Sequence, residues 1–299
     1  MREFCFILNP VSGGRHDQRG HPLARRLGEL MPHAELLLTT RPGEATELAR
    51  ARSMREDLVV IAIGGDGTVH EVAAGLVGGR ALMGVIPVGS GNDFARMLRS
   101  PHQPQLALDW FVQAQPRACD VGKLRIEQAD GSITEGHFIN SLGIGFEAVV
   151  AASAARARVF KGFSRYLVAA LRHLISYRPP RMLIRYGKYQ IDQRQFLVAL
   201  GNGRRAGGGF MLTPNALIDD GLLELCRADA MPIPRLLMIL PSVFRGGHGR
   251  FRGVHMDKVE RISIDCPEAC MVHADGEIVA EQAVGIEVSL HRGGLRLLG

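Results

Sequence analysis

The sequence predicts an α/β protein: a doubly wound, mainly parallel sheet in the N-terminal part, then an antiparallel β-rich second domain with a helical insertion. Three observations predict it. Apolar, β-branched runs alternate with helical patterns through about residue 98, the rhythm of βα units built on a parallel sheet. Beyond Pro116 that rhythm gives way to short strand-like runs separated by turn residues. The 299 residues also exceed one ordinary core, so two domains are expected, 1 to 120 and 121 to 299.

Phe4 to Leu8 reads as the first strand. Its apolar run is too short for a secretory leader and passes directly into Asn9-Pro10-Val11-Ser12-Gly13-Gly14. Helical spacing covers about His21 to Leu30, and Ala34 to Leu38 forms a second strand ending at Thr39 and Thr40. Pro42 and Gly43 open a helix through about Met54. Leu58 to Ile63 is charge-free and β-branched, as a buried parallel strand reads. Gly64, Gly65, Asp66 and Gly67 follow, and Thr68 with Glu71 has capping-box spacing for the next helix. The fourth strand, Ala81 to Ile86, ends in Pro87 to Asp93. There Ser90 and Asp93 repeat the capping-box spacing before a helix to about Leu98. A proline-bounded helix spans Pro101 to Pro116.

The second domain reads as strands at Asp120 to Ile126, Gly136 to Leu142, Arg181 to Tyr186, Gln195 to Leu200, Leu222 to Arg227, Val259 to Cys266, Cys270 to Ala274 and Ile286 to Leu290. Phe146 to Tyr177 interrupts them with one or two helices. That insertion mixes Arg156, Arg158, Lys161, Arg165, Arg172 and Arg178 with large apolar residues, which suits either a domain-packing helix or one lying on an anionic membrane. Phe244 to Arg252 reads as a basic loop with the same two readings.

Composition narrows the partners. With 46% hydrophobic and 22% charged residues the chain is ordinary globular material. Its net charge of +6 is modest, and aromatic residues are only 6%, without the aromatic and basic interleaving of a stacking platform. No nucleic-acid partner is therefore expected, and an anionic membrane surface ranks above one. No run approaches the roughly eighteen apolar residues that cross a bilayer, so the expected contact is peripheral. Five irregularly spaced cysteines suit reduced thiols in a cytoplasmic protein. Cys266, Cys270 and His273 lack a matched fourth ligand, so no zinc site is expected.

Function enters through the strand ends. Asn9 to Gly14, Gly64 to Thr68 and Gly89 to Asp93 project polar, glycine-rich turns toward one rim of the sheet, and Thr39 stands at the fourth strand end. Glycine lets a ligand approach the backbone, and a helix N-terminus offers free amides to phosphate. Asn9, Gly64, Gly65, Gly67 and Asn92 thus belong to a candidate nucleotide pocket. The chain lacks G-x-x-x-x-G-K-[ST], and its glycine turn lacks the spacing of G-x-G-x-x-G, which argues against a P-loop enzyme or an ordinary dehydrogenase. Asp219 and Asp220 before Gly221, and Asp275 with Glu277 around Gly276, suit hairpin turns or hard-cation chemistry.

Taken together, Asn9-Pro10 with Ser12-Gly13, GGDGT at Gly64 to Thr68, PVGSGNDFAR at Pro87 to Arg96, GNGRRAGGG at Gly201 to Gly209, PNALIDDGLLEL at Pro214 to Leu225 and ADGE at Ala274 to Glu277 resemble the diacylglycerol kinase and sphingosine kinase superfamily. The likeness is greatest to the bacterial soluble lipid kinases of the YegS and DgkB type. The resemblance implies an NAD kinase/diacylglycerol kinase-like nucleotide domain, a β-sandwich-like lipid domain, an active site in the cleft between them, and a return of residues 294–299 to the first domain. It implies an ATP site at Thr39, Asp66, Gly67, Thr68, Val69, His70, Glu71, Val72 and Ser90. Glu277 becomes the proton acceptor for a lipid hydroxyl. Magnesium would be held by Asp220 and the carbonyls of Leu217 and Leu222, linked to Asp66 and to a catalytic Asp120. His70 replaces the family's usual asparagine and Ser90 a frequent threonine; both keep hydrogen-bonding capacity. The implied function is an ATP- and magnesium-dependent lipid kinase, cytoplasmic and peripherally membrane-associated. Its partner is a lipid at an anionic surface, and a homodimer is compatible. The alternatives are an NAD kinase-like enzyme and a non-catalytic lipid- or nucleotide-binding regulator.

Overall fold

A computed structural model describes residues 2–12, 22–98, 100–101, 103–156 and 163–298. Gly13, Gly14, His21, Arg158, Lys161 and Gly299, all named above, lie outside the described residues. The chain forms two compact units, Met1–Asp120 with Arg292–Gly299, and Val121–His291.

The first unit is built on β1 (Glu3–Leu8), α1 (Pro22–Leu30), β2 (Glu35–Leu38), α2 (Glu44–Arg50), β3 (Leu58–Gly64), α3 (Asp66–Leu76), β4 (Leu82–Pro87) and α4 (Pro104–Gln113). The strands are parallel in the order β2-β1-β3-β4, with Ile7 beside both Leu37 and Ala62, and Ile63 beside Ile86. Strand alternation explains the two covered faces. Phe4, Phe6, Leu8, Val59, Ile61 and Ile63 form one core with Leu27 of α1 and Ala107, Leu108 and Phe111 of α4. Cys5, Ile7, Val60 and Ala62 alternate with them and are equally buried, on the side where α2 and α3 pack. Residues after Arg292 belong to this unit: Leu297 pairs in parallel with Met83, and Gly78 N–H donates to Gly294 O at 2.8 Å.

The second unit contains β5 (Pro116–Gln128, entering from the first), β6 (Ile133–Phe138), β7 (Ser141–Gly145), α5 (Phe146–Arg156), α6 (Phe163–Leu174), β8 (Arg181–Tyr186), β9 (Tyr189–Gly201), β10 (Leu223–Asp229), α7 (Ile233–Val243), β11 (Val254–Val259), β12 (Arg261–Ala274) and β13 (Glu277–Leu298). Its ladder is antiparallel, β11-β10-β9-β7-β12-β13, with β8 against β9 and β12, and β5 against β6 and β13. Leu142, Ile144, Val198, Leu200 and Leu225 bury one face against the β5, β6, β8, β12 and β13 side chains. Leu197, Ala199, Cys226 and Ala228 bury the other against α5, α6 and α7. This is the expected α/β fold class.

Several expectations about elements need correction. Thr68 does not open α3: the helix begins at Asp66, capped by Gly65, and Glu71 turns away to the N-terminus of α2. Ser90 and Asp93 open no long helix. A single 3-10 turn, Ala95–Met97, stands there because Asn92 and Asp66 consume the turn's polar groups. The run Gly136 to Leu142 is two strands broken at Ile139-Asn140, where the backbone amides point to Asp275 instead of along a ladder. Cys266 and Cys270 lie on one strand, β12, whose register jumps between Asp265 and Cys270. Phe244 to Arg252 is not simply a loop: it follows α7 and includes a 3-10 turn at His248–Arg250. Sequence patterning overlooked α7 and β11.

Candidate active site

In the first unit the rim at the strand C-termini is held by side chain to backbone bonds. Asp66 opens α3, and its carboxylate accepts Asn92 N–H at 2.8 Å and Asp93 N–H at 2.7 Å. One acid thereby fastens the β4 turn to the β3 turn. The turn also closes on itself, Asn92 accepting from Gly89 N at 3.1 Å and donating to Gly89 O at 2.8 Å, with Asn92 at φ 56°. Glycine is required where the two loops meet: a Cβ on Gly89 would lie 2.5 Å from the Gly65 Cα. Gly64 serves packing, since a Cβ there would meet the Thr68 hydroxyl at 2.3 Å, so its role is not ligand approach. Asn9 continues the rim, donating from Nδ2 to Thr68 Oγ1 at 3.2 Å, while Thr39 N–H donates to Leu8 O at 3.0 Å.

The other residues named for the nucleotide divide into two groups. Gly65, Asp66, Gly67, His70 and Asn92 are partly exposed and Ser90 is exposed, so they can meet a ligand. Val69 and Val72 are buried on the core face of α3 and bring only their backbone. Glu71 is already engaged, accepting Gly43 N–H at 2.9 Å and Ala45 N–H at 3.2 Å. It supplies the acidic cap at the α2 N-terminus. Asp120, also of this unit, is buried and accepts Gly293 N–H at 2.7 Å.

In the second unit, segments distant in sequence gather around residues 139 to 141. Asp275 sits at φ 50° in the turn between β12 and β13, and its carboxylate accepts the amides of Ile139, Asn140 and Ser141, each at 2.9 Å. Asn202 donates to Ile139 O at 2.8 Å, Asn140 Nδ2 to Arg205 O at 2.8 Å, and Thr213 Oγ1 to Gly203 O at 2.8 Å. The GNG, PNA and ADGE segments are therefore one hydrogen-bonded cluster. Glu277 leaves it as the exposed first residue of β13. Behind the turn, Gly276 N–H donates to His273 Nδ1 at 3.2 Å, and His273 Nε2 faces Glu147 Oε1 at 3.3 Å. A neutral His273 that accepts at Nδ1 carries its proton on Nε2.

The Asp220 loop belongs to the same unit. Asp220 Oδ1 accepts Leu222 N–H at 3.1 Å, closing the turn, and Oδ2 accepts Lys258 Nζ at 2.6 Å. Glu224, opposite Lys258 in the ladder, is buried and accepts Asn215 N–H at 2.6 Å and Asn215 Nδ2 at 3.1 Å. Burial pushes its carboxyl above the ordinary value, and the Asn215 bonds and Lys258 pull the other way. Among the described residues no three His, Cys, Asp or Glu side chains gather as a metal cluster.

Patterning missed Asp275 as an anchor, and also Asn140, Glu147, His273 and Glu224. The first three each act on a partner 126 or more residues away, and no local period reveals that.

Comparison with known proteins gives the same assignment from outside. Residues 3–124 match the diacylglycerol kinase catalytic domain, and residues 140–298 match the YegS C-terminal NAD kinase beta sandwich-like domain. The diacylglycerol kinase of Bacillus subtilis (strain 168) is 32% identical over 290 residues, covering 93% of this chain and 90% of that protein. Among solved structures, a diacylglycerol kinase from Bacillus anthracis str. Sterne superposes with a TM-score of 0.70 at 22% identity, covering 99% of this chain and 96% of the other. An NAD kinase from Archaeoglobus fulgidus in complex with ATP gives 0.57 at 13% identity over 99% and 93%.

Proposed function

The chain belongs to the diacylglycerol kinase family and is a lipid kinase by that membership, and from this premise we propose that it transfers the γ-phosphate of ATP to the hydroxyl of a membrane lipid. The acceptor is diacylglycerol or a related lipid alcohol such as phosphatidylglycerol or a sphingoid lipid. The observation that carries the reading is the clamp at Asp66. Two glycine loops are pressed together there and fixed by one carboxylate, beside the open N-terminus of α3.

In this reading the phosphate chain lies along Gly65 to Thr68 and past Ser90 and Gly91, where backbone amides can neutralise charge without a P-loop lysine, while the Gly89 and Asn92 amides hold the turn in shape. Glu277 takes the proton from the lipid hydroxyl. As that O–H bond breaks, the hydroxyl oxygen bonds to the γ-phosphorus, and the bond from that phosphorus to the β,γ-bridging oxygen breaks, releasing ADP. His273 and Asp275 hold the turn that presents Glu277.

Magnesium fits the chemistry of the Asp220 loop. One carboxylate and the carbonyls of Leu217 and Leu222 are hard oxygen donors, and the Lys258 ammonium on Asp220 marks the carboxylate as a place that holds a cation. Occupancy requires Lys258 to yield or share an oxygen. When bound, the metal would supply positive charge to offset that of the phosphates and their carboxylate neighbours.

An acceptor panel tests the proposal. Labelled ATP is offered with diacylglycerol, phosphatidylglycerol, a sphingoid base, ceramide and NAD. Label in one or more lipids is the expected result; label only in NADP, or ATP and lipid binding with no transfer, would sink it.

A further inference from the structure

Two long stretches of the second unit contain no acidic residue: 148–191, which is 44 residues, and 230–256, which is 27, in a chain with 30 Asp and Glu among 299. Both surface helices α6 and α7 fall inside them. The inner side of α6 buries Ala169, Ala170 and Leu174, and that of α7 buries Ile239, in one shared cluster, and Val243 at the end of α7 is buried as well. Their outer sides are apolar as well. Val168, Leu171 and Ile175, spaced i, i+3, i+7 along and just beyond α6, are 40%, 45% and 78% exposed. On α7, Leu237 and Met238 are 46% and 59% exposed. A helix packed on one side and apolar on the other has a second partner to meet.

Charge identifies that partner. Arg172 and Arg178 border the α6 stripe and Arg245 follows α7. All three are exposed, and among the described residues none forms an ion pair with a carboxylate. A bilayer with anionic headgroups fits both components, since aliphatic tips enter the acyl boundary while arginine stems lie along it and keep their heads among the phosphates. No helix among the described residues is long and apolar enough to cross a membrane.

The platform also touches the catalytic segments. Tyr166 of α6 packs over Gly207, where a Cβ would lie 3.1 Å from its ring, and its hydroxyl comes 3.9 Å from the Cβ position of Gly276, next to Glu277. At the other helix, Phe210 and Phe244 rings stand 5.2 Å apart and Met211 N–H donates to Val243 O at 3.0 Å. The Gly207 to Met211 loop thus spans from α6 to the end of α7. We propose that the outer faces of α6 and α7 form a docking surface for an anionic lipid bilayer. Through Tyr166, that surface holds the Glu277 turn at the headgroup layer where lipid hydroxyls lie; this last consequence rests on the lipid-kinase reading.

The test is co-sedimentation of the full chain with phosphatidylcholine vesicles containing about a third phosphatidylglycerol, against phosphatidylcholine alone. Binding to the anionic vesicles that weakens as salt is raised to about 0.5 M is expected. Leu171→Glu with Ile175→Glu, and separately Leu237→Glu with Met238→Glu, should each lower binding at least about tenfold. Ile133→Glu, an equally exposed apolar site on β6, should leave it unchanged, and denaturant unfolding should be unaltered in all variants. Equal binding to neutral vesicles, loss in neither or only one helix pair, or an equal loss in Ile133→Glu overturns the surface. A chain that binds as expected yet phosphorylates no lipid overturns the kinase reading and leaves the surface standing.

Discussion

The two units build their polar loops by opposite routes. In the first, parallel strands deliver every turn to one rim, so adjacent motifs meet without long-range direction, and one acid, Asp66, joins the β3 and β4 turns. In the second, antiparallel strands scatter the turns. Segments around 140, 202, 213 and 275 converge only because buried amides and carboxylates tie them together. A motif carries its own address in a parallel sheet, while in an antiparallel one the address is written in distant partners.

Removing the tie in the second unit should give the largest effect. Asp275→Ala leaves three inward-pointing amides without their charged acceptor, and a loss of about 4 kcal/mol in the stability of that unit is expected by denaturant unfolding. A change below about 1 kcal/mol would erase the contrast between the units. Asp66→Asn should act on chemistry more than on folding. Turnover should fall at least a hundredfold, about 2.7 kcal/mol of transition-state stabilisation, while the protein still folds. Near-wild-type turnover removes Asp66 from the mechanism.

Sequence reading succeeded where the first route operates. The four parallel strands and the glycine turns at their ends follow from local pattern, and Asn9, Thr39, Asp66 and Asn92 stand at those strand ends. It failed on Glu71, whose spacing from Thr68 imitates a capping box, while its oxygens cap α2 instead. It failed on Asp275 because the acceptor stands 134 to 136 residues from its donors. It overlooked α7 because the prolines at 232, 234 and 241 read as turn residues.

Two smaller effects sharpen the account of the first unit. Gly89→Ala drives a Cβ to 2.5 Å from the Gly65 Cα. It should cost about 2 kcal/mol, and ATP should no longer raise the melting temperature. An unchanged ATP-induced shift would mean that the loop contact does not shape the nucleotide site. Glu35→Gln should cost only about 0.5 kcal/mol at neutral pH, because the Glu35 side of the Arg52 pair is open to solvent, which screens the interaction. Hydrogen bonding from Arg52 holds the Glu35 carboxyl below its ordinary 4.5, so its contribution is present above that pH and lost as pH falls through the lowered folded value. Unfolding curves of wild type and variant should therefore converge in acid; a gap that widens on acidification contradicts the sign.

The most direct test follows phosphate from labelled ATP into diacylglycerol presented in anionic vesicles, comparing wild type with Glu277→Gln. Labelled lipid phosphate is expected from the wild type and at least about a hundredfold slower formation by the variant, with the same unfolding curve. Equal rates from the two proteins, or no labelled lipid from either, would contradict it.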